Sequence, residues 1–208
     1  MTTRRSATPQ IKVCGVTDTA FARHAASRGV DYVGLIFAEG SPRRIPPQAA
    51  AEIVRALEGR AKSVGVFTAT PVDAILALAA QISLDVVQLH SSAYGDSDTA
   101  RLNAHGLEVW RLLRGAPSAS LPVADAVLLD GVADGRCGGT GTRADWSQAE
   151  RLATSGVRVV LAGGISAENI REAAATGCAV LDANSSLETA PGVKSAERLD
   201  RLLAALRG

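Results

Sequence analysis

Eight short apolar runs punctuate this 208-residue chain at nearly even spacing: IKVC (11–14), YVGLIF (32–37), SVGVF (63–67), DVVQLH (85–90), EVWRLL (108–113), AVLLD (126–130), RVVLA (158–162) and AVLDA (179–183). Their near-continuous apolar character, without polar alternation, is expected of parallel strands covered on both faces. Helical patterns lie between most of them. In TPVDAILALAAQ, Thr70 is placed to cap and Pro71 suits the first helical position, while Val72, Ile75, Leu76 and Ala79 follow a one-face spacing. The last helix repeats that logic, with Ser195 as cap and Leu199, Leu202, Leu203 and Leu206 as the buried stripe. RGAPSASLPVAD, between the fifth and sixth runs, carries two prolines and predicts at most a turn or two of helix. Eight strands on a repeat of roughly 20–30 residues predict an α/β fold, a single (β/α)8 (TIM) barrel of eight parallel strands, because an open doubly wound sheet of this length has fewer strands.

The barrel is assigned to 11–208, a length sufficient for one sizeable core. The first ten residues, MTTRRSATPQ, are polar and basic with no apolar stretch behind them, so they read as a flexible segment and not a secretion signal. Lys and Arg total 22 against 21 Asp and Glu, leaving no bulk charge that would suggest nucleic acid or an anionic membrane. No apolar run approaches the ~20 residues that span a bilayer. Cys14, Cys137 and Cys178 are odd in number, far apart and without metal spacing, which suits free thiols in a cytoplasmic setting. The expected partner is a small molecule, and the chain is compatible with a monomer or a homodimer.

In such a barrel the chemistry sits where strands end and βα loops begin. Two of those ends, in VVLAGGISAEN and VLDANSSLETAPGVK, resemble paired phosphate loops. Gly163 and Gly164 let backbone N–H groups approach an anion, and a helix starting near Ser166 would point its positive end the same way. Asn184, Ser185 and Ser186 add donors from the next strand end, so a small sugar phosphate is the expected ligand. Ordinary βα turns are also rich in Gly and Ser. The other ends are Cys14–Gly15, Phe37 with its loop AEGSPRRI, Phe67, His90, the Leu112 region and Asp130. Cys14 and Asp130, on the first and sixth strands, are the candidate proton-transfer pair, and Arg43 supplies a planar cation for a carboxylate. Each has a plainer reading: Cys14 as a buried apolar residue, Asp130 as a turn cap, and Arg43 or its neighbour Arg44 as solvated surface. His90 would either orient a loop or move a proton. Trp110 and Trp146 read as packing residues.

Taken together, KVCGVT, SPRRI, VGVF, VVQLH, LLDG with GGTGTRADW, LAGGI and LDANSSLETAPGVK resemble the phosphoribosylanthranilate isomerase family of tryptophan biosynthesis, in order, from Ile11 to Leu206. The resemblance implies a (β/α)8 barrel with no metal and no organic cofactor, catalysing an Amadori rearrangement of an aminoaldose to an aminoketose. It also implies Cys14 as general base, Asp130 as general acid and Arg43 on the anthranilate carboxylate. Asp182 and His90 join the substrate-binding set, with Gly141, Gly163, Gly164, Asn184 and Ser185 around the phosphate. GGTG (138–141) would close over the substrate. The chemistry asks the acid to arrive protonated, which burial beside the substrate's own anionic groups favours, and asks the base to be a thiolate.

Three departures from the family pattern leave room for a relative with another aminosugar substrate: Ser91, Ser92 and Ala93 after His90, Arg111 on the fifth strand, and Ser186. A histidine-pathway aminoaldose would need two phosphate clusters, and one is visible. A non-catalytic phosphate-binding barrel would have no use for a thiol and a carboxyl at separate strand ends.

Overall fold

The computed structural model describes residues 8–113, 121–131 and 145–208. Eight strands, β1 (Gln10–Val13), β2 (Tyr32–Ile36), β3 (Lys62–Phe67), β4 (Val86–Leu89), β5 (Glu108–Leu112), β6 (Ala126–Leu129), β7 (Val159–Leu161) and β8 (Val180–Ala183), close in sequence order into one barrel. Every pairing in it is parallel, and β1 meets β8 with Lys12 opposite Asp182. The predicted barrel is thus observed, each strand lying within one residue of its run. The short helix foreseen before β6 falls largely on residues outside those described, as do Gly141, the GGTG loop and Cys137.

Seven α-helices surround the barrel among the described residues: α1 (Thr19–Ser27), α2 (Pro47–Leu57), α3 (Val72–Ile82), α4 (Asp96–Ala104), α5 (Trp146–Thr154), α6 (Ile170–Ala175) and α7 (Ala196–Arg207). None of them is long and apolar enough to cross a membrane. Ser195 caps α7 as expected, accepting from the Arg198 N–H. Leu199, Leu202 and Leu203 are buried beneath α7, while Leu206 is half-buried. Thr70 does not cap α3. Pro71 occupies the cap position with no side-chain bond, and the Thr70 carbonyl instead accepts from the Tyr94 hydroxyl at 2.9 Å.

Side-chain parity organises the interior. Even-numbered strand residues (Tyr32, Val64, Val86, Trp110, Ala126, Leu128, Val160, Val180) pack together inside the barrel. Odd-numbered ones (Val13, Leu35, Phe67, Leu89, Leu161) join the layer beneath the helices. Two-residue alternation of a strand produces this division. Phe37 and Phe67, stacked at 5.2 Å, therefore face the helices, and Ile36 and Val66 are the inward residues there. Trp110 packs as expected, edge-on to Tyr32 at 4.9 Å.

A charged cluster closes the end of the barrel where the strands begin. Glu108 accepts from Trp110 Nε1 at 2.7 Å, from Lys62 Nζ at 3.3 Å and from Arg158, whose other nitrogen reaches the Tyr32 hydroxyl at 3.0 Å. Burial alone would raise the Glu108 carboxyl, but these donors outweigh it and hold it below the ordinary glutamate value. A depressed carboxyl contributes stability that is complete above the unfolded-state pKa and is lost as pH falls through the folded-state value. Glu108→Gln should therefore cost about 1–3 kcal/mol near neutral pH. The difference in melting temperature from wild type should shrink steadily as thermal unfolding is followed down to about pH 3. A constant gap would refute the assignment.

Candidate active site

The opposite end of the barrel gathers the polar residues. Cys14 directly follows β1, and its parity places it inside with Lys12 and Gly34. A Cβ built on Gly34 would lie 2.8 Å from Cys14 Sγ and 3.2 Å from Lys12 Cε, so a glycine on β2 makes the room that both side chains occupy. Gly15 is as constrained. Its φ of 70° is left-handed, and a Cβ there would stand 2.8 Å from Arg43 Cδ and 3.0 Å from Asn184 Oδ1. Side chains from two other loops, those after β2 and β8, thus converge on the turn after Cys14.

Lys12 is fully buried, and its ammonium donates to Asp182 Oδ2 at 2.5 Å. Burial disfavours the charged amine, yet Asp182 and Cys14 together raise its pKa. Burial pushes the Cys14 thiol up, opposed mainly by Lys12, while Asp182 adds to the rise and Lys194 offsets it. Asp182 also senses Asp130 and His90, so the Lys12–Asp182 pair links the thiol side of the barrel to the carboxyl side. The second oxygen of Asp182, Oδ1, is buried with no hydrogen-bond partner among the described residues.

Asp130 follows β6, and its Oδ2 lies 3.3 Å from His90 Nε2. Gln88, two residues before His90 and likewise inward, places its amide nitrogen 3.1 Å from His90 Nδ1. The imidazole thus stands between the Gln88 amide and the Asp130 carboxylate, with one ring nitrogen toward each.

At the rim, Gly163 and Gly164 have φ values of 82° and 73°, two consecutive left-handed residues that favour glycine. The turn beyond them differs from expectation. Asn169 Oδ1 accepts from the Ser166 N–H at 2.9 Å and its amide donates to the Gly164 carbonyl at 2.8 Å. Helix α6 accordingly begins at Ile170, four residues later than foreseen, and the Ser166 N–H is already occupied. Ser186 ties this loop to the next, its hydroxyl donating to the Ile165 carbonyl at 2.6 Å. Asn184 and Ser185, half-buried, follow β8 at the same rim.

Of the two adjacent arginines, Arg43 turns inward and Arg44 is exposed, 3.9 Å from Glu39. Arg43 is engaged by Glu188, which accepts from Nε at 2.8 Å and from Nη2 at 2.7 Å. Arg111, one of the departures, points away from the interior and bonds Asp96 and the Tyr94 carbonyl, joining β5 to α4. Sequence reasoning missed Lys12, Gln88, Glu188 and Lys194. The signal for the first two is visible: each is a polar residue two places before an assigned one, on the same strand face.

A profile of the N-(5'phosphoribosyl)anthranilate (PRA) isomerase family matches residues 11–205. The chain belongs to the N-(5'-phosphoribosyl)anthranilate isomerase family. It is 41% identical over 205 residues to the relative of that name from Rubrobacter xylanophilus, covering 95% of this chain and 98% of the other. The relative from Acidithiobacillus ferrooxidans is 36% identical, with 96% and 98% covered. Among solved structures, the phosphoribosyl anthranilate isomerase of Thermus thermophilus superposes with a TM-score of 0.85 at 36% identity, over 95% of this chain and 98% of that one. A family structure in complex with reduced 1-(o-carboxyphenylamino)-1-deoxyribulose 5-phosphate superposes with a TM-score of 0.79 at 25% identity, over 96% of this chain and 99% of that one.

Proposed function

We propose that this chain performs the family reaction of tryptophan biosynthesis, the isomerisation of N-(5'-phosphoribosyl)anthranilate to 1-(2-carboxyphenylamino)-1-deoxyribulose 5-phosphate, with Asp130 as general acid and Cys14 as general base. The observation that supports the assignment is the placement of a buried thiol at the end of β1 and, at the end of β6, a carboxyl 3.3 Å from an imidazole.

Asp130 protonates the furanose oxygen, the ring opens, and the exocyclic nitrogen becomes an iminium. The iminium acidifies the C2 hydrogen, which the Cys14 thiolate removes to give an enolamine. That species tautomerises to the ketone, so no proton is gained or lost overall. Lys12 offsets the burial cost of the thiolate, and the free Oδ1 of Asp182 can accept from a sugar hydroxyl. Arg43 receives the anthranilate carboxylate, and the Gly163–Gly164 loop with Asn184 and Ser185 receives the phosphate.

The test is direct. Purified protein should consume phosphoribosylanthranilate with loss of its fluorescence, and a complex with a reduced product analogue should place the phosphate at Gly163, Gly164, Asn184 and Ser185. An inert protein overturns the activity. A phosphate elsewhere, with those backbone N–H groups turned away, overturns the site.

A further inference from the structure

Beyond Asn184 and Ser185, the segment after β8 has no part in the chemistry above, although it carries two buried charges, Glu188 and Lys194. A short 3-10 turn (Ser185–Leu187) leads into an antiparallel hairpin, β9 (Glu188–Ala190) and β10 (Val193–Lys194). The hairpin turn rests on the loops after β1 and β2: the Thr17 hydroxyl donates to the Gly192 carbonyl at 2.6 Å, and a Cβ on Gly192 would meet the Pro42 carbonyl at 3.3 Å. Glu188 is 7% exposed and Lys194 8%.

Donor counting separates their roles. An ammonium has three N–H donors, and those of Lys194 have three acceptors: Asn184 Oδ1 at 2.7 Å, the Asn184 carbonyl at 3.0 Å and Glu188 Oε1 at 2.8 Å. Lys194 has nothing left for a ligand. Glu188 accepts from Lys194, from the Gly192 N–H at 3.2 Å, and twice from Arg43. Arg43 spends its Nε–H and one Nη2–H on Glu188. Of its five donors three remain among the described residues, and two of these lie on the Nη1–Nη2 edge, which suits two parallel bonds to a carboxylate. One carboxylate between two cations also leaves one positive charge unbalanced, which an anionic substrate would neutralise.

We infer that Glu188 is a positioning residue that fixes the open edge of Arg43 toward the substrate's carboxylate, and that Lys194 locks Glu188 while holding Asn184 at the phosphate rim. The hairpin thereby sets the spacing between the carboxylate and phosphate subsites. This rests on the reading of Arg43 as the carboxylate contact.

The experiment compares the binding of two reduced product analogues, one carrying the anthranilate carboxylate and one with an unsubstituted phenyl ring. Wild type should prefer the carboxylate analogue by about tenfold or more, the scale of a charge-assisted bidentate contact. Glu188→Gln should erase most of that preference, leaving affinity for the phenyl analogue within about threefold, and should raise KM with kcat nearly unchanged. In an Arg43→Ala background, Glu188→Gln should add almost nothing, because both act through one contact. Should Glu188→Gln alone fail to fold with two buried cations unbalanced, the pair Glu188→Gln with Lys194→Gln restores charge balance, and the same loss of preference is expected. An undiminished preference, equal loss of both analogues, or a fully additive cycle overturns the inference. An Arg43→Ala variant that keeps the preference instead overturns the reading of Arg43, a separate and recognisable failure.

Discussion

Cys14→Ser should fold like the parent and lose about 10²–10⁴ in isomerisation rate, the scale of a positioned general base. The hydroxyl is smaller than the thiol and sits in the space that Gly34 leaves, so packing barely changes. A hydroxyl does not ionise in the accessible pH range, whereas a thiol beside a buried ammonium does. The pH dependence supplies a second signature. Because burial raises the Cys14 thiol, kcat/KM should climb on the alkaline side as the thiolate forms. Lys12 is the chief group opposing that rise, so Lys12→Met should move the limb to still higher pH, with Asp182 raising and Lys194 lowering the same thiol throughout. The rate is followed by loss of substrate fluorescence, and the fold by a cooperative melt. A Cys14→Ser variant within about tenfold of wild type would make the thiol a packing residue.

Much of this molecule is legible in its sequence because a parallel barrel imposes two strong regularities. Strands covered on both faces must be apolar throughout, which exposes all eight runs, and residues two apart must share a face. The second regularity carries further than the run boundaries. From Cys14 it leads to Lys12, from His90 to Gln88, and from Asn184 to Asp182, so a polar residue inside an apolar run marks the path from the barrel interior to its mouth. Lys12 is the sharpest case, a lysine between Ile11 and Val13 that no solvent-facing strand position explains.

What parity cannot supply is the pairing of loops. Arg43 and Glu188 stand 145 residues apart in sequence, and nothing local to SPRRI or LETAPGVK announces that they meet. Their contact arises because barrel closure brings the loops after β1, β2 and β8 to one arc of the rim. Helix starts fail for a different reason. Thr70 and Ser166 both have capping chemistry, but Pro71 takes the cap position of α3, and the Asn169 side chain closes the turn ahead of α6.

Asp130→Asn tests the acid at the far side of the mouth and should cost about 10²–10⁴ in turnover, since an amide offers no proton at useful acidity. The substitution is nearly isosteric, and the Asn carbonyl can still accept from His90 Nε2, so the geometry around 3.3 Å should persist. Binding of the reduced product analogue should survive because the phosphate and carboxylate contacts are untouched. The loss should therefore fall on kcat and not on KM. His90 separates orientation from proton transfer. If its role is to aim the carboxyl, His90→Asn should lower kcat less than Asp130→Asn does, and adding it to Asp130→Asn should change little further. Ring opening is the step that needs the acid, so a substrate analogue already in the open-chain form should recover much of the rate lost in Asp130→Asn while leaving Cys14→Ser inactive. Equal recovery in both variants would mean that the two residues do not divide the reaction between ring opening and C2 deprotonation, and the assignment of acid and base would fall together.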